Sequence, residues 1–187
     1  VSATISTAPT MIYFGQEVGE AGNENAGFGT HSRTSIFDYI GVPNHQRWMN
    51  GGKFDGGQLS QGEKELRDFY KRLLNFSINS SALMGNFQEI QTANRNITPG
   101  YDIAIYSYTR WSDTQKLIVV TNFYSLASSN FELRIPADII QKWNLKDGTY
   151  TITDQLYHKK TTQLKVENGE GKAQISIGPS ESFIFQL

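Results

Sequence analysis

Two hydrophobic periods divide this chain. Leu66, Phe69, Tyr70, Leu73 and Leu74 recur at i, i+3, i+4, i+7 and i+8, the spacing that lays one apolar stripe along a helix. The helix has a start signal in Ser60-Gln61-Gly62-Glu63, a capping box in which the Ser60 hydroxyl accepts a first-turn N–H and Glu63 reaches back. Glu63 with Arg67, and Asp68 with Arg72, form i, i+4 pairs on the opposite side. Past residue 85 that period is gone. Short strand-like runs follow at 86–92, 103–110, 116–123, 131–136, 149–156, 163–167, 172–177 and 182–187. Ser112-Asp113, Asp147-Gly148, Asn168-Gly169 and Gly178-Pro179 punctuate most of them, and 137–143 reads as a short helical turn. Short strands at this spacing predict an antiparallel Greek-key β-sandwich, so the chain is expected to be mainly β, with a boundary near Met84-Gly85 separating residues 1–84 from 85–187.

One apolar run stands outside both patterns. Pro9 opens it, Met11-Ile12-Tyr13-Phe14 are apolar or strand-favouring, and Gly15 closes it, as in a short strand buried on both faces. Gln16 and Glu17 sit at its far end. In a parallel α/β barrel the chemistry gathers at the carboxyl ends of the strands, which makes this pair a candidate for function. Residues 19–29 are too rich in Gly and Asn for a regular element and long enough for a functional loop. Residues 33–57 mix aromatic and polar side chains, notably Phe37-Asp38-Tyr39 and Trp48. Rings that lie on the C–H face of a sugar beside groups that bond its hydroxyls suit a carbohydrate; the alternative is that Phe37, Tyr39 and Trp48 pin a long loop to its scaffold.

Composition narrows the field. A net charge of −1 over 187 residues, with no basic run, gives no footprint for nucleic acid or an anionic membrane. With no cysteine, disulfides, thiol catalysis and zinc-thiolate sites are ruled out and the redox compartment stays open. No stretch is long and apolar enough for a transmembrane helix, and residues 1–6 lack the pattern of a signal peptide. The strand begins almost at once, so residue 1 is expected to be an internal point of a longer protein. Lys159-Lys160 and Lys172 are charges of the kind that discourage edge-to-edge pairing.

The stretch from Pro9 to Glu17 resembles the eighth barrel strand of the α-amylase family of glycoside hydrolases, family 13: Pro, an apolar run with an aromatic pair, Gly, a polar residue and Glu. The Gly/Asn-rich loop, the Arg- and Trp-containing segment, the amphipathic helix and the β-rich tail follow in the family's order, and Val119-Val120-Thr121-Asn122-Phe123 resembles the central strand of its C-terminal sandwich. The resemblance implies the last β/α unit of a (β/α)8 barrel plus that sandwich, cut from a retaining enzyme that acts on starch, maltooligosaccharide or a related α-glucoside. It implies Gln16, Glu17, Phe37, Asp38, Tyr39 and Trp48 as substrate-wall residues, and the upstream barrel of the same protein as partner. The catalytic carboxylates of the family lie on earlier strands, so none is assigned here and the chain alone is expected to be inactive.

Other chemistry is thin. Asn44-His45 resembles part of an Asn-His-Asp motif of the family, but Gln46 follows and the position is wrong, so the role is not carried over. Glu17 and Asp38 could meet at the roughly 5 Å of a retaining pair, though nothing in their spacing requires it. His31, His45 and His158 have no ligand spacing, and the oxygens of Glu20, Asn23, Glu24 and Asn25 lack the EF-hand pattern; no cofactor is expected in this chain, with calcium left to the parent. The parent's compartment stays open between secreted or cell-envelope and cytoplasmic. A rival reading is a non-catalytic carbohydrate-binding or interaction module.

Overall fold

The computed structural model describes residues 1–20, 41–157 and 160–187. It folds as two compact units, Val1–Ala8 with Phe76–Leu187 and, separately, Pro9–Asn75.

The first unit is an antiparallel sheet of β1 (Asn86–Glu89), β2 (Ile105–Trp111), β3 (Lys116–Asn122), β4 (Ser129–Ile135), β5 (Gly148–Asp154), β6 (Thr161–Glu167), β7 (Glu170–Ile177) and β8 (Ser182–Gln186). Every strand-like run past residue 85 becomes a strand. Their spatial order is β1-β2-β3-β8-β5-β6-β7-β4. The meander β5-β6-β7, with β8 returning beside β5, is a Greek key. Hydrogen bonds run through all the strands, so the architecture is one continuous sheet rather than two. Ile105 of β2 and Phe131 of β4, far apart in that order, share one core, which requires the sheet to curl on itself.

Alternation explains which face is inside. In β7, Ala173, Ile175 and Ile177 are buried while Lys172, Gln174 and Ser176 are exposed. The short helix Ala137–Lys142, where the sequence predicts a helical turn, sends Ile139 and Ile140 into the same core. Its approach needs Gly171: a Cβ there would lie 2.9 Å from the Ile140 Cδ1. The β6–β7 hairpin turns through Asn168 and Gly169, both at positive φ, and the Asp147 carboxylate accepts both of their N–H groups.

Strands β2, β3 and β8 are buried on their second face as well. There Tyr108 bonds Thr4 at 2.5 Å, and Arg110, 2 % exposed, lies among main-chain carbonyls. Burial pushes the Tyr108 hydroxyl up to about 12 and lowers the Arg110 guanidinium from its ordinary value.

The second unit contains the helices Pro43–Met49 and Gln61–Asn79, the latter running on past Asn75. The capping box forms as expected: the Ser60 N–H donates to Glu63 Oε2 at 2.8 Å and the Glu63 N–H to Ser60 Oγ at 3.4 Å. No side chain of Gln61–Asn79 is buried, although its apolar stripe is the one the sequence predicts. The expected strand at Pro9–Glu17 does not form. Residues 9–13 carry no regular structure, Phe14-Gly15 turn, and Gln16–Val18 make a 3-10 turn. Met11 is 87 % exposed. A parallel strand needs neighbours on both edges, and none of the described strands pairs with it.

Candidate functional site

Local chemistry in Pro9–Asn75 starts from glycine. Gly15 and Gly19 both have positive φ, and between them the chain tightens into the 3-10 turn that carries Gln16 and Glu17. A Cβ at Gly15 would come within 2.7 Å of the Glu20 Cβ, so the side chain of Glu20 folds back over this turn. Its Oε2 accepts the N–H groups of Asn44 and His45, each at 3.0 Å. Helix Pro43–Met49 needs that acceptor because its N-cap, Val42, has no side-chain oxygen to offer. Asn44 completes the tie by donating through Nδ2 to the carbonyls of Val18 and Gly19.

The other end of the unit is tied by charge. Arg47 bonds Glu63 through Nε at 3.3 Å and through a second, shorter contact from its terminal nitrogen. That hydrogen bond, with those from Ser60, holds the Glu63 carboxyl down to about 2. Glu63 therefore pairs across the fold with Arg47, whereas the helical i, i+4 pattern had matched it to Arg67.

Arg67 has a different environment. Its guanidinium carbon lies 5.2 Å from the centre of the Trp48 ring, which also meets Phe54 edge-on at 5.9 Å and His45 at 5.6 Å. The same Arg67 lines a cleft of about 620 Å³ together with Glu17, Tyr13, Phe14, Tyr70 and Lys71. Gln16 is fixed beside it: Nε2 donates to the Tyr70 hydroxyl at 2.7 Å, and Oε1 accepts the Tyr13 N–H at 3.1 Å. Arg67 thus lines the cleft that Glu17 also lines and lies over the Trp48 ring.

Of the six candidate residues, Gln16, Glu17 and Trp48 are brought into this one neighbourhood. Phe37, Asp38 and Tyr39 lie outside the described residues, as do His31, His158, Asn23, Glu24 and Asn25. Sequence reasoning did not assign Glu20, Asn44, Arg47 and Arg67 the roles they take here. One signal was available: Val42-Pro43 opens a helix with no local capping oxygen, which asks for an acceptor from elsewhere. The His45 ring lies 4.4 Å from that of Phe14, tilted by 40°; among the described residues no group of His, Cys, Asp or Glu is arranged to hold a metal ion. No helix among them is long and apolar enough to cross a membrane.

No protein-family profile and no curated protein matches the chain. Solved structures do. The chain matches AmyP E221Q in complex with maltotriose at 18% identity and TM-score 0.59, covering 99% of this chain and 32% of that one. AmyP in complex with maltose matches at 18% identity and TM-score 0.58, with the same coverage of 99% and 32%. An Anoxybacillus α-amylase matches at 16% identity over 72% of this chain and 25% of that one, with a TM-score of 0.46. The chain therefore spans about a third of the length of the AmyP structures, and what it shares with that third is the fold.

Proposed function

We propose that this chain is the C-terminal part of an α-glucan-active retaining glycoside hydrolase or transglycosidase of the α-amylase family, with starch or maltooligosaccharide as substrate. The observation that carries the reading is the match of 99% of the chain to part of a protein crystallised with maltotriose. In this reading the nucleophile and the acid/base carboxylate belong to the rest of the parent, on opposite sides of the glycosidic bond. The present chain contributes a wall: Gln16 and Glu17 at the end of the apolar run, and Phe37, Asp38, Tyr39 and Trp48 along the connection that follows.

The upstream barrel of the same protein is the partner. It supplies the strands that Met11 to Phe14 lack and the surface that covers the stripe of Gln61–Asn79. No cofactor is assigned to this chain, and calcium is left to the parent.

Titration calorimetry with maltotriose and a reducing-sugar assay on starch test the proposal. The chain alone is expected to give neither turnover nor measurable binding. In the parent, Trp48→Ala and Tyr39→Ala are expected to lower kcat/KM by the equivalent of about 1–3 kcal/mol each if their rings contact sugar. Unchanged kinetics with a lowered Tm would make the connection scaffold. Binding of maltotriose by the isolated chain would replace the enzyme reading with that of a non-catalytic carbohydrate-binding module.

A further inference from the structure

Among the described residues, the buried Arg110 has no carboxylate as a hydrogen-bond partner. Its Nη1 donates to the Ile5 carbonyl at 2.7 Å, its Nε to Ala82 at 3.4 Å, and its Nη2 to Leu83 and, at 3.3 Å, to Gly85. Burying a guanidinium is costly, and an apolar side chain of similar length would pack a sheet face at lower cost. What an apolar side chain cannot do is satisfy carbonyls from two separate segments. Residues 82–85 end the 3-10 turn Ser81–Met84, where the Gly85 N–H caps the Ala82 carbonyl at 3.1 Å and Arg110 meets those of Leu83 and Gly85. Residue 5 belongs to Val1–Ala8, which lies far away in sequence and joins the same unit.

Those two segments have one thing in common. Val1–Ala8 leads into Pro9, and the segment beginning at Phe76 leads out of Asn75, so they are the two chain crossings of the Pro9–Asn75 unit. Further bonds hold each crossing. Thr4 bonds Tyr108, and Ser77 Oγ donates to the Ala3 carbonyl at 3.1 Å, joining entry to exit directly. Ser80 Oγ and the Ala82 N–H both donate to Gln115 Oε1. At Gly85 the fit is closed: a Cβ would lie 2.1 Å from the Trp111 carbonyl oxygen.

We infer that the sheet serves the candidate site by clamping both chain crossings of Pro9–Asn75, with Arg110 as the positioning residue that ties entry to exit. The inference rests on the proposed function only in calling Pro9–Asn75 the site-bearing unit. The guanidinium fork is the element that Lys cannot reproduce, since a single ammonium has no planar spread of donors to reach both segments.

Amide hydrogen exchange on the chain, read by mass spectrometry, tests this without a glucan, so its outcome is independent of the substrate reading. Arg110→Met is expected to speed exchange on the order of tenfold at residues 4–5 and 83–85 together, the consequence of leaving buried carbonyls without donors. The rise should extend to the turn amides of residues 16–20, while residues 117–120 keep their protection. Tyr108→Phe, a milder change, should loosen residues 4–5 and leave 83–85 as they were. Should Arg110→Met fail to fold, Tyr108→Phe still decides: no change at residues 4–5 overturns the clamp. A uniform rise that includes residues 117–120, or an unchanged turn at 16–20 in folded Arg110→Met, would make Arg110 an ordinary core residue and overturn it as well.

Discussion

The curled sheet and the Pro9–Asn75 unit are built from equally regular sequence, yet only one of them buries what its pattern promises. In the sheet, Leu133, Leu164 and Ile175 alternate with exposed neighbours and are almost wholly shielded from water. In Gln61–Asn79 the stripe is as regular, and no residue of it is buried. A helix satisfies its own backbone and can form before its apolar face is covered, whereas a strand must find a neighbour. The same rule explains why the eight runs beyond residue 85 become strands and the run at Met11 to Phe14 does not. Sheet partners are supplied within the first unit; for the apolar run they are not among the described residues.

Truncating the two stripes should give the widest separation. Leu133→Ala, at a site with 0% exposure, is expected to cost about 2–5 kcal/mol in urea unfolding, and Leu74→Ala about 1 kcal/mol or less. Equal losses would end the contrast between fully buried and half-buried faces.

Alkali should act on the sheet. Tyr108 is raised from 10.0 to about 12 by burial, as is Tyr101, so both stay protonated in the fold after the unfolded chain has begun to ionise. Their contribution is complete below pH 10 and is lost as pH rises toward 12, roughly 2–3 kcal/mol for Tyr108. Urea midpoints at pH 9, 10.5 and 11.5 measure it, and Tyr108→Phe should flatten the decline.

Acid should act on the other unit. Glu63 is lowered from 4.5 to about 2, chiefly by its hydrogen bond from Arg47, so its contribution is complete above pH 4.5 and fades as pH falls toward 2. Glu63→Gln is expected to remove that dependence, with amide exchange at the start of Gln61–Asn79 as the readout. An unchanged acid profile in the variant would dissociate the Arg47 contact from stability.

The smallest effect is expected at the cap itself. Ser60→Ala should cost about 1 kcal/mol, and faster exchange should be confined to the first turn of the helix. Spread of the change into β2 or β3 would show that the two regions are less separable than their burial implies.

Much of the fold was legible because its determinants are local. Alternation of apolar and polar residues, Asn168-Gly169 at a hairpin, and the Ser60–Glu63 box each act within a few residues, and each is found where its chemistry requires. The candidate site was legible in part: Gln16, Glu17 and Trp48 could be singled out by type and position, but their settings could not. Tyr70 holds Gln16 from 54 residues away, Glu20 caps a helix 24 and 25 residues on, and Arg47 takes Glu63 from its expected partner.

The sequence by itself determined the sheet's strands, their inward faces, the helix and its cap, since short-range sterics, hydrogen bonding and hydrophobic period are written along the chain. Only the tertiary structure decided that the strands join in a single curled sheet, that Met11 to Phe14 remains outside it, and that Arg110 gathers carbonyls from residues 5, 82, 83 and 85. Those outcomes depend on which distant groups are present to satisfy a donor or cover a face, and no local pattern carries that information.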